Sequence, residues 1–140
     1  MTTIDEVRRW MEGYRVDWLS NDPRDIAALF TDDAVYELRP NDRSPSRGRD
    51  AIVTTWLRLQ DAPDSWTFDY TILGFLHPAE PDDRAEATAL VQGVTEYLDG
   101  KPTYENLFFI TIADEGRASR FLEWSYGRPG TGTGADAVPD

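Results

Sequence analysis

Residues 26–38 read IAALFTDDAVYEL, and this stretch contains a change of period. Ile26, Ala27, Leu29 and Phe30 give a short helix one apolar side. Thr31, Asp32 and Asp33 are turn formers that end it, and residues 34–38 then read as a first strand. The residues just upstream, Asn21-Asp22-Pro23, supply the helix start: Asp22 can cap, and Pro23 suits the first helical position. Further upstream, residues 3–20 predict a long amphipathic helix. Ile4, Val7, Met11, Tyr14 and Trp18 recur at steps of three or four and share one face. Thr3, with Glu6 three positions later, fits a capping box at its start.

Downstream, residues 40–48 predict a polar loop, and residues 50–59 a third helix carrying Ile52, Val53, Trp56, Leu57 and Leu59. After Pro63 the pattern turns to β-branched and aromatic residues. Residues 66–76, 85–98, 104–113 and 118–126 predict four strands. Turn residues separate them: His77-Pro78 onward, Asp99-Gly100-Lys101-Pro102 and Asp114-Glu115-Gly116-Arg117. Three helices and a strand followed by an antiparallel meander make an α+β order rather than an alternating βαβ one. Residues 127–140 read GRPGTGTGADAVPD, with nothing apolar enough to offset the entropy of ordering. The reading is therefore one domain over residues 1–126 and a flexible Gly/Pro-rich tail over 127–140.

The composition narrows the chemistry. The 140 residues carry a formal net charge of −12, which argues against nucleic acid and anionic membranes as partners. There is no cysteine and only one histidine, His77, so a thiolate nucleophile, a zinc-finger site and a His-dependent triad are disfavoured. His77 itself reads as an exposed loop residue. Asp32-Asp33 reads as a turn rather than a metal site, and no metal or dinucleotide motif is present. The first 17 residues are too charged for a signal peptide, and no window nears ~18 uncharged apolar residues. The expectation is a cytoplasmic protein whose usable groups are carboxylate, tyrosine and tryptophan.

Taken together, the order and the residues resemble the SnoaL-like, nuclear-transport-factor-2-like superfamily. The resemblance rests on the Asn-Asp-Pro break followed by residues 26–36 and on Gly48-Arg-Asp-Ala-Ile52. It continues in Tyr97-Leu-Asp-Gly100, Tyr104-Glu-Asn106 and Phe121-Leu-Glu-Trp124. It covers about residues 3–126. It implies a curved, mostly antiparallel sheet wrapped around the long N-terminal helix with two further helices, forming a cone with an internal pocket. Family members include ketosteroid isomerases, polyketide cyclases, epoxide hydrolases, dehydratases and non-catalytic binding domains, and many are dimers through the outer sheet face.

Strand alternation sorts the side chains by face. Matched to the isomerases, Phe121, Glu123 and Ser125 point into the cone, while Leu122 and Trp124 lie on the outer face and make a homodimer contact. Tyr36 and Leu38 share a face of the first strand, and Tyr104, Asn106 and Phe108 share one on a later strand. Glu123 is the acid/base candidate, because burial would raise its pKa toward neutrality; the other reading is a cross-strand or interface carboxylate. Asn106 either orients a substrate carbonyl, holds Glu123 or is a satisfied core amide. Tyr14 and Tyr104 either donate to a developing oxyanion or anchor packing. Trp18, Tyr36, Leu38, Trp56, Phe108, Phe121 and Ser125 complete the expected substrate-binding set, with plain core as the alternative for Trp56.

The resemblance also contains departures. The isomerases' general base on the first strand corresponds here to Leu38, and their oxyanion-hole acid to Phe108; only the tyrosine of the first helix, Tyr14, is matched. No inward arginine is assigned of the kind the epoxide hydrolases use. These differences argue against steroid isomerisation and epoxide hydrolysis. They leave a cofactor-free isomerase, cyclase or dehydratase acting on an apolar, oxygen-bearing small molecule, or a binding or dimerisation module without catalysis.

Overall fold

The computed structural model describes residues 2–80 and 86–128, and the side chain of Asp114 is outside the description. Residues 129–140 of the expected tail, and Ala85 at the expected start of a strand, lie outside the described residues.

The long helix, α1 (Ile4–Ser20), starts where Thr3 Oγ1 accepts from the Glu6 backbone N–H, and it stops at Asn21 in the left-handed conformation. Half of the capping box is realised this way; the other contact runs between the two side chains, from the Thr3 hydroxyl to Glu6 Oε1. The buried face of α1 comprises Val7, Trp10, Met11, Tyr14, Asp17 and Trp18. Two expectations shift here. Ile4 is 50% exposed, and Trp10 takes its place in the core, with its indole N–H donating to the Leu29 carbonyl at 2.9 Å. A bulky ring on that face can reach the α2–β1 junction, whereas Ile4 sits one turn too early to be covered.

Helix α2 (Pro23–Ala28) is capped by Asp22, which accepts from the Arg24 N–H. Strand β1 (Phe30–Glu37) begins four residues before the expected Ala34. Its register explains the difference: from Phe30 to Val35 it pairs with only Ala118 to Arg120 of the neighbouring strand. The polar residues 31–33 are therefore bulged out within the strand rather than closing a turn before it. Asp32 and Asp33 point to solvent, and Arg49 ties the bulge down by binding Asp32 at 2.8 Å and the Phe30 carbonyl.

A two-residue strand, β2 (Ser46–Arg47), follows inside the expected polar loop, pairing with Val35 and Tyr36. Helix α3 (Arg49–Arg58) comes next, then β3 (Trp66–Leu76), β4 (Thr88–Tyr97), β5 (Tyr104–Ile112) and β6 (Ala118–Gly127). Strand β6 runs through Gly127, one residue past the expected domain end. The six strands form one open sheet in the order β2-β1-β6-β5-β4-β3, antiparallel except for the β1–β6 pair. A bulge between Ile72 and Gly74 bends the long β3–β4 hairpin.

The concave face closes over α1. Phe30, Phe108, Phe121, Met11, Ile26, Ile52 and Ile110 are fully buried there. Tyr14 lies against Trp10, Trp18, Trp56, Phe68, Phe108 and Phe121, so one helix residue is the hub of the aromatic core. Gly93 on β4 is part of that fit: a Cβ there would lie 2.7 Å from Phe68 Cε1 and 3.2 Å from Phe108 Cε2.

Candidate functional site

Where the concave sheet, α1 and α3 fail to meet, they leave a cleft of about 190 Å³. Each wall follows from a local rule. Tyr14 and Trp18 stand one helical turn apart on the buried face of α1. Tyr36 comes from β1, with Leu38 just beyond the strand, and Trp56 comes from the inner side of α3. Alternation on paired strands supplies Thr95 and Tyr97 from β4, Tyr104 and Asn106 from β5, and Glu123 and Ser125 from β6. Register places Ser125 opposite Asn106, and Glu123 opposite Phe108.

A chain of hydrogen bonds crosses three strands. The Thr95 hydroxyl donates to Asn106 Oδ1 at 2.8 Å, Asn106 Nδ2 donates to the Ser125 hydroxyl at 2.9 Å, and that hydroxyl donates to Glu123 Oε1 at 3.2 Å. Thr95 and Asn106 are buried. The carbonyl and amino ends of the Asn106 amide are both engaged, and its link to Glu123 runs through the Ser125 hydroxyl.

Glu123 is surrounded by protein but reached from the open side of the cleft. Burial pushes its carboxyl up from 4.5 to about 7; the Ser125 hydrogen bond opposes this, and the charge of Asp61 reinforces it. Burial likewise raises the Tyr14 and Tyr36 hydroxyls well above the ordinary phenol value, and the Glu123 charge adds to both. Both tyrosines line the cleft, and among the described residues neither hydroxyl has a hydrogen-bond partner. One carboxyl of near-neutral pKa and two protonated phenols thus face the same space.

Phe108 and Phe121, expected as lining, are not part of the cleft wall. Both are fully buried in the core: Phe121 stacks behind Tyr36 at 5.0 Å and 18°, and Phe108 meets Tyr14 edge-on at 5.9 Å. They fix the rings that do reach the cleft. The lining is also more polar than an apolar hollow. Gln60, Asp61 and Tyr97 join it, and none of them is among the site residues expected from the sequence. Asp61 Oδ2 accepts from the Trp18 indole at 3.0 Å and from the Tyr97 hydroxyl at 3.1 Å, and Lys101 lies 3.8 Å from Oδ1. Its backbone carbonyl accepts from Asn21 Nδ2, whose Oδ1 takes the Trp56 indole N–H at 3.1 Å. Tyr97 was within reach of the sequence, since it alternates with Thr95; Asp61 was not, because it sits in a loop without periodicity.

On the outer face the alternation is as expected, but Leu122 is only 7% exposed, sheltered in a groove with Phe109, Leu76 and Pro78. Trp124 and Tyr126, at 51% and 52%, are the large rings of β6 left in solvent. His77 is exposed at the rim of that groove. No helix among the described residues is long and apolar enough to cross a membrane.

Compared with known proteins, residues 7–121 match the SnoaL-like domain family. Among solved structures, a candidate scytalone dehydratase from Novosphingobium aromaticivorans is 19% identical, with 97% of this chain and 91% of that one covered and a TM-score of 0.60. A candidate ketosteroid isomerase from Kribbella flavida is 20% identical, with 97% and 92% covered and a TM-score of 0.59. An epoxide hydrolase of the LEH-like type from M. tuberculosis is 19% identical, with 87% and 84% covered and a TM-score of 0.55. Such identities establish a shared fold and no more. No curated protein sequence matches this chain significantly.

Proposed function

The chain belongs to the SnoaL-like domain family, and from that membership we propose that it is a cofactor-independent acid–base enzyme of the isomerase, cyclase or dehydratase type, acting on a small oxygen-bearing molecule in the cleft. Glu123 exchanges a proton with substrate carbon or oxygen. Its pKa near neutrality suits it to both directions of transfer. Tyr14 and Tyr36 donate their unpaired hydroxyls to the oxygen on which negative charge develops. Asn106 and Ser125 position the Glu123 carboxyl. Trp18, Trp56, Leu38 and Tyr104 shape the space around the substrate.

The observation that carries this reading is the meeting of one carboxyl and two unpaired phenol hydroxyls in a single cleft. The test is hydrogen–deuterium exchange at carbons next to the carbonyl in a panel of small ketones and hydroxyketones, followed by NMR in D₂O. The protein should accelerate exchange on at least one, and Glu123→Gln should abolish it while the fold is retained. Equal exchange by the variant would remove Glu123 from the chemistry.

A second reading, a non-catalytic ligand-binding or dimerisation module, is favoured by Leu38, which stands where the resembling isomerases carry their base. No exchange on any panel member, with retained ligand binding, would favour it. In either reading the protein is cytoplasmic and forms a homodimer through the outer sheet face, supported by the exposed rings of Trp124 and Tyr126. Sedimentation should show a dimer that Trp124→Lys converts to monomer; a wild-type monomer at all concentrations would contradict it.

A further inference from the structure

The cleft has a chemical bias that the acid–base reading does not use. Six of its lining side chains are aromatic, two are carboxylates, and none is basic. Its lining rings meet one another at steep angles: Tyr97 and Tyr104 at 86° with centroids 5.9 Å apart, and Tyr14 and Trp56 at 67° and 5.3 Å. An aromatic ring is negative on its faces and positive at its edge, so a guest seated against the ring faces of this wall is favoured when it carries positive charge.

The mouth already holds one cation in this way. Lys101 Nζ lies 5.0 Å over the Tyr97 ring, 3.8 Å from Asp61 Oδ1 and 3.6 Å from Asp99 Oδ2. Asp61, only 16% exposed in its side chain, is held in place by the Trp18 and Tyr97 donors on its other oxygen. An anionic guest would meet Asp61 and Glu123, of which Asp61 alone has a cation beside it, Lys101, and no basic side chain is part of the lining. The protein's overall charge of −12 also draws cations toward it and repels anions.

We propose that the molecule bound in this cleft carries a small organic ammonium group, seated among Trp18, Trp56, Tyr97 and Tyr104 and neutralised by Asp61. The inference rests on the acid–base reading only in taking this cleft as the site; it adds the charge of the substrate. An ammonium group seated beside Asp61 leaves the oxygen-bearing end of a short molecule facing Glu123 and the two free phenol hydroxyls.

The test compares three probes of one shape and different charge: choline, its uncharged carbon isostere 3,3-dimethylbutanol, and the 3,3-dimethylbutanoate anion. Binding is read by calorimetry or ligand-observed NMR at low salt. Choline should bind about tenfold tighter than the alcohol, and the anion weakest. Asp61→Asn and, separately, Tyr104→Leu should narrow the gap between choline and alcohol. Tyr104 touches the Asp61 network only through its ring contact with Tyr97 and makes no hydrogen bond in it among the described residues, so its variant keeps the test open if the Asp61 variant does not fold. Equal or weaker binding of choline, no choline binding at millimolar concentration, or a preference unchanged in the folded variants would overturn the proposal. Because these experiments read binding and the exchange assay reads chemistry, either can fail while the other holds.

Discussion

Replacing Glu123 with Gln should make the protein more stable at pH 8 and have a much smaller effect at pH 5. The carboxyl is raised from 4.5 to about 7 by burial first and by Asp61 second. The folded state therefore holds this proton through a window in which the unfolded state has released it. Stability falls as pH rises from 4.5 to about 7, and the full cost is present above 7. At about 1.4 kcal/mol per pH unit the shift corresponds to about 3 kcal/mol, and solvent entering from the open side of the cleft reduces this to about 2 kcal/mol. Gln keeps the shape and carries no charge. The assay is urea denaturation of both proteins at pH 5 and pH 8. Asp17, also buried and raised to about 6, contributes a pH dependence of its own, but it is present in both proteins and cancels in their difference. The gain from Gln should be about 1.5 kcal/mol larger at pH 8 than at pH 5, since a small part of the cost is already present at pH 5. An equal difference at the two pH values would refute the reasoning, because the carboxyl would then titrate as it does in water.

Ser125→Ala removes the hydrogen bond that favours the ionised carboxyl, so the pH–rate profile of any exchange reaction should move to higher pH; a shift to lower pH, or none, would contradict the relay. Gly93→Ala should destabilise by about 1–3 kcal/mol, measured by denaturant midpoint, because the added methyl must displace the Phe68 ring against Phe108.

The fold was legible because its signals are local. The Asn-Asp-Pro break and the alternation along β3 to β6 follow from short-range sterics and lie close to the expected places, whereas the change of period comes earlier than expected, with β1 already starting at Phe30. The misreadings arose where tertiary contacts decide. Residues 31–33 look like a turn, and only the short pairing of Phe30 to Val35 against Ala118 to Arg120 makes them a bulge. Ile4 fits the apolar spacing of α1 as well as Trp10 does, yet coverage by the α2–β1 junction selects Trp10.

In the cleft, alternation brings Asn106, Glu123 and Ser125 to one face but does not set depth. Phe108 and Phe121 have the inward parity and lie behind the wall, because other rings stand in front of them. Asp61 was invisible for a different reason: a loop carboxylate has no period, and its importance arises from Trp18, Tyr97 and Lys101, which are 43, 36 and 40 residues away along the chain. Its charge is also one of the causes that raise Glu123.

The central claim is that Glu123 faces the cleft as a carboxyl that exchanges its proton near neutral pH. A carbon-13 NMR titration of the glutamate carboxyl carbons, with the Glu123 resonance assigned by its loss in Glu123→Gln, measures this directly. The account predicts a midpoint near 7 that falls when Asp61 is replaced by Asn. A midpoint between 4 and 5, unmoved by the Asp61 change, would contradict it.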